Sequence, residues 1–226
     1  MNHPRELTPT LNDTADKGAA VYSKPVLSIY DLFVLGFSNS FVWKCPSRRI
    51  LALYNDHVAD KHLDIGVGTG YFLDRCRFPS TSPKIALLDL NPNCLQATTH
   101  RLRRYDPSCH IANVLKPFEI DESEFGSIGL NYLLHCLPGN LADKSVVFEH
   151  AKPLLRKGGA LFGATILGED VEHNALAKRL MRIYNAKGIF GNATDRLSDL
   201  EAGLKNNFER YTVRVVGCVA MFSAWK

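Results

Sequence analysis

Leu63-Asp64-Ile65-Gly66-Val67-Gly68-Thr69-Gly70-Tyr71 is the stretch whose reading decides the fold of this chain. It runs as a buried strand, a carboxylate, glycines at every second position and a helix start. Glycine lacks a Cβ, so it takes positive φ and lets a ligand lie against the main chain. The helix that follows presents unpaired N–H groups and the positive end of a dipole. Such a turn also occurs merely to pack a helix close to a sheet. Two carboxylates point instead to a ligand: Asp64 at the end of the strand, and Asp89 in Leu87-Leu88-Asp89-Leu90-Asn91. An acid about 20 residues beyond the glycines, closing a second strand, is placed to accept both hydroxyls of a ribose.

The dinucleotide fingerprint is G-x-G-x-x-G. Here the third glycine, Gly70, comes one residue early and Tyr71 follows, so the spacing is D-x-G-x-G-x-G. That spacing resembles the first motif of the class I S-adenosylmethionine (SAM)-dependent methyltransferases. Asp89 serves NAD and SAM alike, since both carry a ribose diol. Three further features extend the resemblance towards SAM. The glycine strand follows a long N-terminal region. Leu154-Leu155-Arg156-Lys157-Gly158-Gly159-Ala160-Leu161-Phe162 is similar to the family's helix, Gly-Gly turn and fifth strand. The chain ends in two β-rich runs, Arg210 to Val216 and Cys218 to Trp225.

The resemblance implies an α/β fold, Rossmann-like, with a mostly parallel seven-stranded sheet, an antiparallel last strand and a helical N-terminal cap. It implies SAM as cofactor, bound beyond the carboxyl ends of the strands. Gly66, Gly68 and Gly70 would pass beneath its methionine and ribose portions. Asp64 would order the loop and meet the methionine ammonium, or act only as a loop cap. Asp89 would hold the ribose, with Leu90 packing on adenine. After the third strand, Asn113 and Val114 stand where the family often has Asp. The Asn113 amide oxygen can accept the same adenine bond, or the residue is simply a turn former. Asn131 and Tyr132 close the fourth strand beside the reacting centre.

The sulfonium of SAM already makes its methyl group an electrophile, so the protein's task is in-line placement of acceptor, carbon and sulfur. A general base helps where the acceptor must lose a proton. His135, in Asn131-Tyr132-Leu133-Leu134-His135-Cys136, is the candidate base, against a reading as a packing residue. Tyr22 and Tyr30 are candidates to cover SAM or orient the acceptor, against simple aromatic packing. The expected activity is methyl transfer to oxygen, nitrogen or carbon of a small molecule. Two other readings stay open: a methyltransferase of RNA, DNA or protein, and a SAM-binding protein that catalyses another reaction. The amino-methylating nucleic-acid enzymes carry prolines after the fourth strand, where this chain has Asn131-Tyr132-Leu133-Leu134.

Composition narrows the remaining classes. The 226 residues suit one domain. The 27 Lys and Arg against 23 Asp and Glu give a net charge of +4, not gathered in blocks. No nucleic-acid partner and no membrane partner is expected, and a homodimer is left open. Six cysteines form no C-x-x-C pair and no zinc spacing. No metal is expected. Residues 1–20 are polar with no apolar signal region, and the expected location is cytoplasmic.

Along the chain, residues 1–20 read as a flexible segment and 21–226 as a single methyltransferase domain. Residues 21–58 read as a helical cap, aromatic from Tyr22 to Trp43. The enclosed apolar pocket it would make suits an uncharged or aromatic acceptor of secondary metabolism. Residues 168–208 read as a helical insertion over the active site, opened by His173 and carrying a capping box at Ser198 to Glu201.

Overall fold

The computed structural model describes residues 38–226. The expected flexible segment, the first part of the cap, Tyr22 and Tyr30 lie outside the described residues.

Alternation of strand and helix begins with α1 (Ser47–His57), which Pro46 precedes. Its Ile50, Leu53 and Tyr54 are buried, so one face of the helix lies on the sheet. β1 (Lys61–Ile65) leads through the glycine loop to α2 (Tyr71–Arg75), then β2 (Lys84–Asp89) and α3 (Pro92–Arg101). α3 starts cleanly because Pro92 needs no N–H bond and the Asn91 side chain accepts from Asn93 N–H. β3 (Ser108–Ile111) and β4 (Phe125–Asn131) follow. α4 (Leu141–Lys144) and α5 (Val146–Ala151) come next, then β5 (Leu155–Ile166). α6 (Ala175–Ala186), α7 (Leu197–Asn207), β6 (Arg210–Val216) and β7 (Val219–Trp225) complete the chain.

The strands form one seven-stranded sheet in the order β3-β2-β1-β4-β5-β7-β6. Pairs from β3 to β5 are parallel, and β7 runs antiparallel to both β5 and β6. β4 is buried along its whole length, as expected of a central strand covered on both faces. Side chains alternate along β1. Leu63 and Ile65 enter a core shared with α5 and α7, while His62 and Asp64 face the side of α1 and α2. Two apolar layers therefore sandwich the sheet, one around Tyr54, Phe72, Leu87 and Phe162, the other around Ile128, Phe148, Leu161 and Leu204.

Three local expectations need correction. β5 begins at Leu155, ahead of the Gly158-Gly159 pair expected to turn the chain into it. Gly158 and Gly159 thus form an irregularity inside the strand rather than the turn ahead of it. Gly158 adopts φ 73° there, and a Cβ on Gly159 would lie 2.9 Å from the Phe125 carbonyl oxygen. α7 starts one residue before Ser198, with Arg196 at its N-cap and no side-chain capping bond. The capping box lies elsewhere, where Asn140 and Asp143 bond reciprocally at the start of α4. Finally, α7 packs on α4, α5 and β6, on the flank of the sheet. In the 168–208 segment it is α6 that adjoins the apolar layer containing Tyr132.

Candidate active site

The strand order reverses direction between β1 and β4, and the crevice of an open α/β sheet opens at that point. A cleft lies there, walled by the loops after β1, β2, β3 and β4. Asp64, Gly66, Gly68, Gly70, Asp89, Leu90, Asn113, Val114 and Asn131 all line it.

The glycines have different reasons to be glycine. All three adopt positive φ, at 73°, 55° and 69°. A Cβ on Gly66 would come 2.8 Å from Leu133 Cδ1, and one on Gly70 would come 2.7 Å from Thr98 Cγ2. Those two let elements close on one another. A Cβ on Gly68 would meet nothing within 4 Å. Its missing side chain faces open space, which is the cradle a bulky ligand needs. Thr98 donates its hydroxyl to the Gly68 carbonyl (3.2 Å) and fixes the loop from α3. α2 is only five residues long, so the expected helix dipole is small.

Asp89 is half-buried beside the glycine loop, at the end of the neighbouring strand. Its Oδ1 accepts from Asn91 N–H at 2.8 Å, and the N–H groups of Gly68 and Val67 also stabilise its charge. Burial outweighs them and pushes its carboxyl up to about 6. The glycine loop thus aims the carboxylate that the nucleoside sugar would meet.

Asp64 is 3% exposed at the end of β1. The Tyr54 hydroxyl donates to its Oδ2 at 2.8 Å, and His62 Nε2 lies 3.3 Å from the same oxygen. Burial first, then the charge of Asp64, hold the Tyr54 phenol well above its usual range. Asn131 adjoins this pair: its amide touches the Tyr54 hydroxyl, yet neither amide atom makes a well-formed hydrogen bond among the described residues. A buried amide on the wall of a cleft is what an absent polar ligand leaves behind. The open cradle, the two carboxylates and this amide fit a nucleoside that carries an amino-acid tail.

Asn113 does what a turn residue does, since its side-chain oxygen accepts from Leu115 N–H at 3.0 Å while the residue lines the cleft. The structure does not bring His135 to the cleft. Its ring is 3% exposed, Ile166 N–H donates to Nδ1 at 3.4 Å, and Phe190 packs edge-on at 4.6 Å. Burial, helped by the nearby Lys144 ammonium, lowers its pKa to about 3. Enclosed there and absent from the cleft lining, the imidazole is placed as the packing reading expects. His173 contacts the Leu167 carbonyl oxygen (2.9 Å) instead.

Sequence reading missed Tyr54 and His62. The alternation His62-Leu63-Asp64-Ile65 on a buried strand carries a signal, since two polar residues on one face of such a strand require partners. Nothing in the sequence marks Tyr54 out from an ordinary core tyrosine on α1. Tyr132 also lines the cleft, at φ 57°, in the left-handed region that non-glycine residues seldom adopt.

A fold with this switch point, an open glycine cradle and an acid on the neighbouring strand fits an enzyme that binds a nucleoside cofactor. The chain belongs to the class I SAM-dependent methyltransferases, and SAM is its cofactor. The methyltransferase domain family matches residues 63–161. The chain is 41% identical over 208 residues to demethylluteothin O-methyltransferase of Streptomyces thioluteus, covering 92% of this chain and 90% of that one. It is 39% identical to the physcion biosynthesis cluster O-methyltransferase of Aspergillus chevalieri, over 98% of both chains. In fold it is similar to the N-methyltransferase NodS of Bradyrhizobium japonicum WM9 in complex with S-adenosyl-L-homocysteine (SAH). That match has a TM-score of 0.60 and 12% identity, over 96% of this chain and 98% of that one.

Proposed function

We propose that this methyltransferase places the methyl group of SAM on an oxygen of a small, largely apolar acceptor with an acidic hydroxyl, a phenol or an enol. The observation that carries this is the near full-length similarity to two O-methyltransferases. When bound, SAM would supply an electrophilic methyl carbon: the acceptor oxygen would bond to it in line as the methyl–sulfur bond breaks, SAH would leave, and the hydroxyl proton would pass to solvent. The chain's own residues do the rest. Gly68 leaves room for the ligand, Asp89 takes the sugar hydroxyls, Asp64 and Asn131 meet the amino-acid end, and Leu90 and Val114 flank the base. Tyr132, Leu133, Cys136 and Leu137 wall the side where an acceptor enters.

Among the described residues Asp64 and Asp89 are the only carboxylates of the lining, and no imidazole joins them. Both carboxylates serve the cofactor, which favours an acceptor acidic enough to give up its proton readily. Tyr22 and Tyr30, in the 21–58 cap, are our candidates to orient it. The reading has a small-molecule partner, no nucleic acid and a cytoplasmic enzyme of secondary metabolism. Among the described residues no helix is long and apolar enough to cross a membrane.

The test is incubation with SAM carrying a heavy methyl group and a panel of phenols, enols, amines and RNA. SAH should form in step with a labelled methyl ether. Label on amines or on RNA, with the hydroxyl compounds untouched, would overturn the proposal.

A further inference from the structure

Beneath the cleft, β1 and β4 carry a matched pair of patterns. His62 pairs with Ser127 and Asp64 with Gly129, so His62-x-Asp64 lies against Ser127-x-Gly129 in register. The four residues form one buried unit. The Ser127 hydroxyl oxygen accepts from Ala59 N–H at 2.8 Å and lies 2.8 Å from His62 Nδ1. His62 Nε2 faces Asp64 Oδ2. A carboxylate oxygen requires a donor there, which places the ring proton of His62 on Nε2. Nδ1 is then the acceptor and Ser127 O–H its donor, a tautomer assigned from the partners.

Gly129 makes the arrangement fit. Its φ is ordinary, so no backbone strain demands glycine, yet a Cβ would stand 2.8 Å from Asp64 Oδ2 and 3.3 Å from His62 Cε1. Aromatic rings enclose the unit. His62 stacks on Phe162 at 5.8 Å, Tyr54 meets Phe162 edge-on at 5.1 Å, and Tyr54 stacks on Phe72 at 5.6 Å. Tyr54 and His62 both address Oδ2, and neither bond goes to Oδ1.

We infer that His62, Ser127 and Tyr54 are positioning residues, which clamp one oxygen of Asp64 and turn the other to the α-ammonium group of the cofactor's amino-acid tail. This rests on the SAM-binding reading in which Asp64 meets that ammonium. Of the clamp, Tyr54 itself lines the cleft, whereas His62 and Ser127 lie beneath it and are not part of its lining. They act through Asp64, setting how tightly the tail is held and leaving the nucleoside end alone.

Two ligands separate this role from a purely structural one. SAH carries the amino-acid tail, whereas 5′-methylthioadenosine keeps the adenine, ribose and thioether but lacks it. Their affinities are measured by calorimetry on the full chain and on His62→Phe, Tyr54→Phe, Gly129→Ala and Asp64→Asn. His62→Phe retains a ring on Phe162 but loses the donor, and Gly129→Ala displaces Oδ2 from the neighbouring strand. Each of these three clamp variants should weaken SAH about tenfold, the scale of one charge-assisted hydrogen bond. Methylthioadenosine should bind each as it binds the parent.

Equal losses for both ligands would mean a collapsed cleft and overturn the clamp, as would unchanged SAH affinity. If His62→Phe does not fold, Gly129→Ala decides, since its added methyl touches Asp64 and not the cleft. Asp64→Asn separates the two levels of the argument. A large SAH-only loss there with silent clamp variants sinks the clamp alone. An unchanged SAH affinity in Asp64→Asn sinks the ammonium assignment and the clamp with it.

Discussion

Gly66, Gly68 and Gly70 share a motif and a positive φ, but only one of them borders empty space. Gly70→Ala forces a methyl against Thr98 as well as a left-handed backbone on alanine. Overpacking costs about 1–3 kcal/mol and the backbone roughly 1–2 kcal/mol more. Gly68→Ala meets the backbone cost alone, and its methyl projects into the cleft. Denaturant titration should therefore show Gly70→Ala as the less stable variant, and SAH calorimetry should show a clear loss of affinity in Gly68→Ala. Comparable stabilities for the two, with SAH binding intact in Gly68→Ala, would mean that the cradle has been misread.

At the scale of elements, one buried ion pair ties the segment after α6 to α4. Lys144 Nζ donates to both oxygens of Asp195, at 2.9 and 2.8 Å, and to the Gly191 carbonyl at 2.9 Å. Both side chains are fully buried. Burial pushes the Asp195 carboxyl up to about 6 and the Lys144 ammonium down, each opposed by the attraction of its partner. The same segment sends Gly191 N–H to the His135 carbonyl and Phe190 onto the His135 ring, so it braces the wall behind the cleft. Removing one charge strands the other in a dry interior, at about 3–5 kcal/mol. Asp195→Asn is expected to lower the melting temperature by roughly 10 °C. A shift of a degree or less would show that the pair is neutralised or solvated.

Across the whole molecule, a ligand bound at the switch point stabilises the entire sheet by mass action. SAH at about a hundred times its dissociation constant adds about 2.7 kcal/mol, a rise of roughly 5–10 °C in melting temperature. Asp89 makes that gain depend on pH. Its carboxyl, raised to about 6, favours the protonated form in the folded protein. The stability this contributes is complete below about pH 4, the ordinary carboxylate range, and is lost as pH rises through 6. Ribose hydroxyls donate to the charged form, so the SAH increment runs the other way. It should be smaller at pH 5 than at pH 8 in scanning calorimetry, and Asp89→Asn should remove the difference. An equal or larger increment at pH 5 would contradict the sugar assignment.

The local order of elements was legible from periodicity and punctuation. Glycines after β1, an acid closing β2 and two terminal strands are short-range signals, and the resemblance they carry led to the cofactor. The cleft-lining residues followed because strand ends in such a sheet converge on one crevice. Where a signal depended on register, reading failed. Ser198 has the right neighbours for a cap, yet α7 already begins at Leu197, with Arg196 at its N-cap. His135 follows β4 as a base would, but a turn of chain carries its ring behind the cleft, where desolvation keeps it neutral. By itself, then, the sequence determined the fold class, the cofactor and the loops that face it, since these rest on spacing along one chain. Only the tertiary structure decided that Gly68, alone of the three motif glycines, faces open space, and that Asp64 meets Tyr54 of α1 and a His62 held in turn by Ser127 of β4. Those facts arise from side chains far apart in sequence meeting across a closed-packed sheet.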